Sequence, residues 1–131
     1  MRQIIRFVYL PILLISLLLS IGSCKKEEPP DRDRFLGTFS VVETCGSGDD
    51  AYNITIVESS LDEESIFIIN FYDWGGQLNA TVSGNDITIP SQFNADLTFS
   101  GSGTISEDIL NINFTIFYVN ISDNCQAICT R

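Results

Sequence analysis

"LNINFTIFY", Leu110 to Tyr118, decides the fold. Leu110, Ile112, Phe114, Ile116 and Tyr118 share one parity, while Asn111, Asn113 and Thr115 take the other. A period of two places one face on a core and the other in water, which is the signature of a half-buried β-strand. The same period runs outward in both directions. Phe35, Phe39 and Val41 mark a first strand over about 35–45, and Tyr52, Ile54 and Ile56 alternate with Asn53 and Thr55. Ile66 to Tyr72 is apolar on both faces and reads as a central strand. Leu78, Ala80 and Val82 lead through the Gly84-Asn85 turn into Ile87 and Ile89. Leu97, Phe99, Gly101, Gly103 and Ile105 precede the Glu107-Asp108 turn, and Cys125, Ala127 and Cys129 close the series. No segment carries a helical stripe.

About eight short strands joined by short turns predict an all-β domain, a small antiparallel meander barrel over residues 35–131. Closure would remove the exposed edges. A flattened β-sandwich is the rival architecture. Phe35, Phe39, Tyr52, Phe67, Phe71, Phe99 and Phe114 are expected inside, with no Lys, Arg or His among them. An eight-stranded barrel is just wide enough for side chains or one small ligand. Seven aromatics predict a filled core, and any bound small molecule must be apolar. Gly101 and Gly103 leave two inward positions empty, which suits a sharp bend, a large side chain opposite, or a void.

The chain begins differently. Arg2 and Arg6 precede an apolar run from Phe7 to Leu19, followed by Ser20, Ile21, Gly22 and Ser23. A basic start, a short apolar middle and a small-residue end describe a secretory signal over residues 1–23. The run is shorter than the roughly 18–20 residues of a spanning helix. Residues 24–34, with Pro29, Pro30 and alternating charges, read as an extended tether.

Charge limits the partners. The chain holds 17 acids and 7 bases. Arg2 and Arg6 belong to the signal; Lys25, Lys26, Arg32 and Arg34 belong to the tether with four acids. The body keeps 13 acids and a single base, Arg131. Such a surface repels phosphate backbones, so no nucleic acid is expected; cations or a basic protein suit it better.

Ile21-Gly22-Ser23-Cys24 resembles the lipobox of bacterial lipoproteins. The resemblance implies cleavage before Cys24 and attachment of fatty-acyl (palmitate-type) chains there, so the partner would be a membrane reached through lipid. Two or more chains make a stable anchor. Lys26-Glu27-Glu28 is similar to the export signal of surface lipoproteins in Bacteroidetes, which implies an outer-membrane, surface-facing address. The body resembles small lipocalin-like lipoproteins of that group. The residues that carry this are Phe35-Leu36-Gly37-Thr38-Phe39, Val42-Glu43-Thr44-Cys45, Ile87-Thr88-Ile89-Pro90 and Gly101-Ser102-Gly103-Thr104-Ile105. Lipocalins open with Gly-x-Trp; Phe39 stands at the Trp position, and no base is identified to pack beneath it. The resemblance implies a carrier of a small apolar ligand. Small acidic barrel lipoproteins that inhibit basic lysozymes supply a further expectation, an inhibitor of a basic protein.

Once Cys24 goes to lipid, three cysteines remain, enough for one bridge. If the first and last strands pair antiparallel to close the barrel, Cys45 lies opposite Cys125, Glu43 opposite Ala127 and Val41 opposite Cys129. Cys125 and Cys129 on one extended strand are about 13 Å apart, beyond the roughly 7 Å a bridge allows. A metal set of Cys45, Cys125 and Cys129 lacks a completing histidine, because the chain has none. No metal and no cofactor are therefore expected. Without His, Ser-His and Cys-His nucleophile schemes are absent. Asp49-Asp50, Asp62-Glu63-Glu64 and Glu107-Asp108 sit in turn-like stretches, so no catalytic residue is assigned and the domain is expected to be non-enzymatic. Tyr72-Asp73-Trp74, ahead of Gly75-Gly76, is either a contact tip for a protein partner or an aromatic lid over the barrel.

Overall fold

The structure is a computed structural model and describes residues 28–94 and 96–131. The signal, Cys24 and the first residues of the tether lie outside the described residues. Eight antiparallel strands form a closed barrel in sequential order. They are β1 (Gly37–Cys45), β2 (Gly48–Glu58), β3 (Ser65–Ile69), β4 (Gln77–Ser83), β5 (Asp86–Asn94), β6 (Leu97–Ser106), β7 (Ile109–Tyr118) and β8 (Ile121–Thr130). The barrel, not the sandwich, is the architecture. Closure is made by β1 against β8, with Val41 opposite Cys129, Glu43 opposite Ala127 and Cys45 opposite Cys125, the register expected from the sequence. Gly84 takes φ +61° in the two-residue turn between Ser83 and Asp86, the backbone region that favours glycine there.

The turns divide the barrel into two ends. The turns after β1, β3, β5 and β7 make the mouth; those after β2, β4 and β6 make the floor. A 3-10 turn, Asp31–Phe35, closes the floor and buries Phe35 completely. Phe35 thus belongs to this turn and not to the first strand, which begins at Gly37. The end of the expected spacer is docked for the same reason. Arg32 donates to the Asp62 carbonyl at 2.8 Å and faces Glu58 at 3.5 Å. Arg34 donates to the Asn85 side chain, and the Gly84 amide donates to Asp31 at 3.2 Å. Burying an aromatic plug stabilises by about 1.5–3 kcal/mol, enough to order a short polar turn.

Arg131 supplies the base that the sequence reading does not find beneath Phe39. Its guanidinium carbon lies 5.0 Å from the centre of the Phe39 ring. The same group donates to the Leu36 carbonyl at 2.9 Å, the Arg34 carbonyl at 3.0 Å and the Asp108 carboxylate at 3.0 Å.

The third expected strand stops early. β3 ends at Ile69, and Phe71–Asp73 is a short 3-10 turn that tucks Phe71 under the mouth. Ile66 and Ile68 point inward; Phe67 takes the opposite parity and is only partly buried, so it leaves the expected interior set. The run is apolar on both faces, which makes parity unreadable from composition alone. The Gly positions of β6 hold no void. A Cβ on Gly101 would stand 2.5 Å from the Asn113 carbonyl oxygen and 2.7 Å from the Phe114 Cβ; one on Gly103 would meet the Asn111 carbonyl at 2.8 Å. The glycines let β7 come close and give Phe114 its room.

β4 and β5 pair only near the floor, from Thr81–Thr88 to Ser83–Asp86. Pro90, which has no amide proton, lies within an irregularity in β5 between Ile89 and Gln92. Above it the Gln92 side chain takes over the missing ladder. Its amide nitrogen donates to the Asn79 carbonyl at 2.8 Å, and its oxygen accepts from the Asn79 amide at 2.9 Å.

Candidate functional site at the barrel mouth

The mouth is pinned at the closing seam. Cys45 and Cys125 form a disulfide between directly opposed residues, with Cα atoms 4.2 Å apart. Asp123, on β8, accepts from the amides of Gly46 at 2.9 Å and Ser47 at 3.0 Å, and so holds the β1–β2 turn. The Ser47 hydroxyl and those amides keep the Asp123 carboxyl below the ordinary carboxylate range.

Beneath the seam is a buried acid that the expected interior set omits. Glu43 shares the parity of Phe39 and Val41 and is 2% exposed. Tyr52 donates its hydroxyl to Glu43, and the Tyr72 amide donates to the Tyr52 oxygen at 3.0 Å. The other Glu43 oxygen lies 3.5 Å from the Cys45 sulfur, which has no proton to give because it is half of a disulfide. Burial pushes the Glu43 carboxyl above its usual range, and Asp50, Asp123 and Asp73 push the same way; the Tyr52 bond opposes them. Burial and the Glu43 bond raise the Tyr52 phenol far above its usual value. Tyr72 is raised too, first by burial and then by Glu43. The expectation that nothing inside could pair with a ligand's charge is therefore corrected: a carboxylic acid, Glu43, stands inside the mouth.

Glu43 and the sulfurs of Cys45 and Cys125 lie within 4.8 Å of one another. The two sulfurs are bonded together and offer no thiolate, so the group holds no metal as it stands. Cys129 is a buried free thiol whose pKa is pushed up to about 12, first by burial and then by Glu43. Of the carboxylate pairs, Asp49-Asp50 opens β2 at the mouth, whereas Asp62-Glu63-Glu64 and Glu107-Asp108 lie in floor turns.

The Tyr72-Asp73-Trp74 segment folds over the mouth. Asn70, Tyr72 and Asp73 all have positive φ, at 64°, 62° and 48°. The Asn70 side chain holds this shape by donating to the Asn53 carbonyl at 2.9 Å and accepting from the Gly75 amide at 2.8 Å. The Tyr72 ring is edge-on to Phe99 and Phe114, with centroids 6.0 and 6.4 Å away. The Trp74 ring lies 6.2 Å from Phe99 and covers Gly76, where an added Cβ would run into it. Both aromatic rings pack over the mouth and are half-buried, and Asp73 is the exposed residue of the three.

The free apolar surface is elsewhere on the rim. Phe117, Tyr118, Val119 and Ile121 form the β7–β8 tip and are 49%, 51%, 82% and 68% exposed. Phe93, 73% exposed, stands in line with Phe117 across Thr98 on the outer wall. On the inner side, Tyr118 and Ile121 join Tyr72, Leu97 and Ile116 to line an open cleft of about 370 Å³. The cleft lies at the rim; the barrel below is occupied by Phe35, Phe39, Phe71 and Phe99. The signal for this patch is present in the sequence. Phe117 occupies the parity that Asn111, Asn113 and Thr115 hold lower on β7, and Val119 stands in a turn; Phe93 shares the parity of the buried Ile87 and Ile89, and the irregularity between Ile89 and Gln92 turns it outward. In comparisons with protein-family models, curated proteins and solved structures, this chain finds no match.

Proposed function

We propose that this chain is a lipid-anchored outer-membrane protein whose β-barrel is a non-enzymatic protein-binding module. One observation carries the reading: among the described residues, five of the nine exposed large apolar side chains, Phe93, Phe117, Tyr118, Val119 and Ile121, gather at the mouth. Residues 31–35 meet the barrel at the floor, so a lipid anchor at Cys24 would join the chain at the end opposite the mouth. Apolar surface concentrated at the far end is what a partner would bury. The anchor itself rests on Ile21-Gly22-Ser23-Cys24.

A second reading, a lipocalin-like carrier of a small apolar ligand, is favoured by the rim cleft. Its volume exceeds the roughly 300 Å³ at which ligand pockets begin. Arg131 beneath Phe39 also strengthens the likeness to lipocalin-like lipoproteins. Native mass spectrometry after gentle extraction separates the readings. A binding module leaves the lipidated chain with no further lipid-like mass; a carrier retains one that leaves on activation.

A further inference from the structure

The β7–β8 tip keeps a residue that folding alone would replace. Val119 has φ +53°. A β-branched side chain there is a conformational outlier. Asn and Gly adopt that region with less strain. Its side chain is 82% exposed, so no packing offsets the cost. Strain with no local return is the kind of feature found at recognition sites.

The charge around the tip has one sign. Asp49, Asp50, Asp73, Asp96 and Asp123 belong to the mouth turns and strand ends. Among the described residues the bases are Arg32, Arg34 and Arg131, and all three are at the floor. Like charge opposes a second copy of this end and an anionic bilayer. A cationic surface gains both Coulomb attraction and burial of the tip.

We propose, resting on the reading of the mouth as a protein-binding face, that the partner docks through a cationic segment that also bears apolar side chains. Its apolar groups cover Phe117, Tyr118, Val119 and Ile121, while its Lys or Arg groups face the mouth aspartates.

The test uses the full lipidated chain in nanodiscs of zwitterionic lipid, with empty discs as the blank. Three labelled synthetic peptides are titrated by fluorescence anisotropy: alternating Lys-Leu, Lys-Ser and Glu-Leu. Lys-Leu is expected to bind about tenfold or more tighter than either other peptide, a difference near 1.4 kcal/mol. Val119→Asn should weaken Lys-Leu binding by a similar factor while raising the urea midpoint, a pair of effects that a purely structural role would not produce. Asp49→Asn with Asp50→Asn should weaken binding and flatten its salt dependence; Asp62→Asn at the floor should change neither. Equal binding of Lys-Leu and Glu-Leu, or unchanged binding in the Val119→Asn chain, overturns the proposal. Self-association of the discs through the mouth overturns it in favour of a second copy. If a partner cross-links to the mouth but contacts it through a segment without Lys or Arg, this proposal fails and the protein-binding reading stands. If nothing cross-links there, that reading fails.

Discussion

Arg131 lies over the ring of Phe39, 5.0 Å from its centre, while two of its nitrogens hold the carbonyls of Arg34 and Leu36. One side chain therefore seals the barrel floor and fastens the turn that leads to the tether. Arg131→Ala should lower stability by about 2 kcal/mol, from one cation–π contact and the loss of hydrogen bonds to partly covered carbonyls. Limited trypsin digestion should then cut after Arg34, which the docked turn protects in the unaltered chain. Arg131→Lys should rescue little, because an ammonium cannot span both carbonyls in the guanidinium geometry.

Glu43 should make stability fall as pH rises. Burial holds its folded pKa above the ordinary carboxylate range, so between the unfolded and folded values the native state holds more protons. The stability present below the ordinary carboxylate pKa is then lost as pH climbs through the raised value. Glu43→Gln keeps an acceptor for Tyr52 without the charge. Urea titrations from pH 4 to pH 8 should show the variant gaining on the unaltered chain across that window, with no such trend for Asp62→Asn.

The disulfide closes a loop of 80 residues. The chain-entropy relation assigns it roughly 4–5 kcal/mol, so reduction should lower the urea midpoint sharply. Non-reducing peptide mapping should recover Cys45 linked to Cys125. Cys129 should resist alkylation in the folded protein and react once urea unfolds it, because its thiolate is strongly disfavoured where it lies.

Gly101→Ala should destabilise by about 1–3 kcal/mol, the usual range for overpacking. The added methyl meets the Asn113 backbone at 2.5 Å, so trimming Phe114 to Ala in the same chain should not restore the loss. Thermal melts of the single and double variants decide this.

How much of the barrel was legible follows from what alternation can report. Leu110 to Tyr118 named its strand and its buried face, and matching parity at Val41, Glu43 and Cys45 led to the observed register with Cys129, Ala127 and Cys125. Alternation also placed Glu43 on the inner parity, yet the residue's charge kept it out of the expected core. In Ile66 to Tyr72, apolar residues on both parities leave the inner face undefined. The ends were not legible. Phe35 fills the floor from a turn, and Arg131 reaches Phe39 across the barrel, so neither contact has a periodic trace. At the mouth, Tyr72 and Trp74 read equally well as lid or contact surface until their rings were placed against Phe99.

The most direct measurement of the proposed protein-binding role is photo-cross-linking in cells, with benzoyl-phenylalanine in place of Tyr118 at the mouth or of Leu61 on a floor loop. Both positions are exposed and apolar, at 51% and 68%, so they differ chiefly in which end of the barrel they report. A discrete heavier adduct from position 118, absent from position 61, is the expected result. No adduct from 118, or the same adducts from both positions, would contradict a binding face at the mouth.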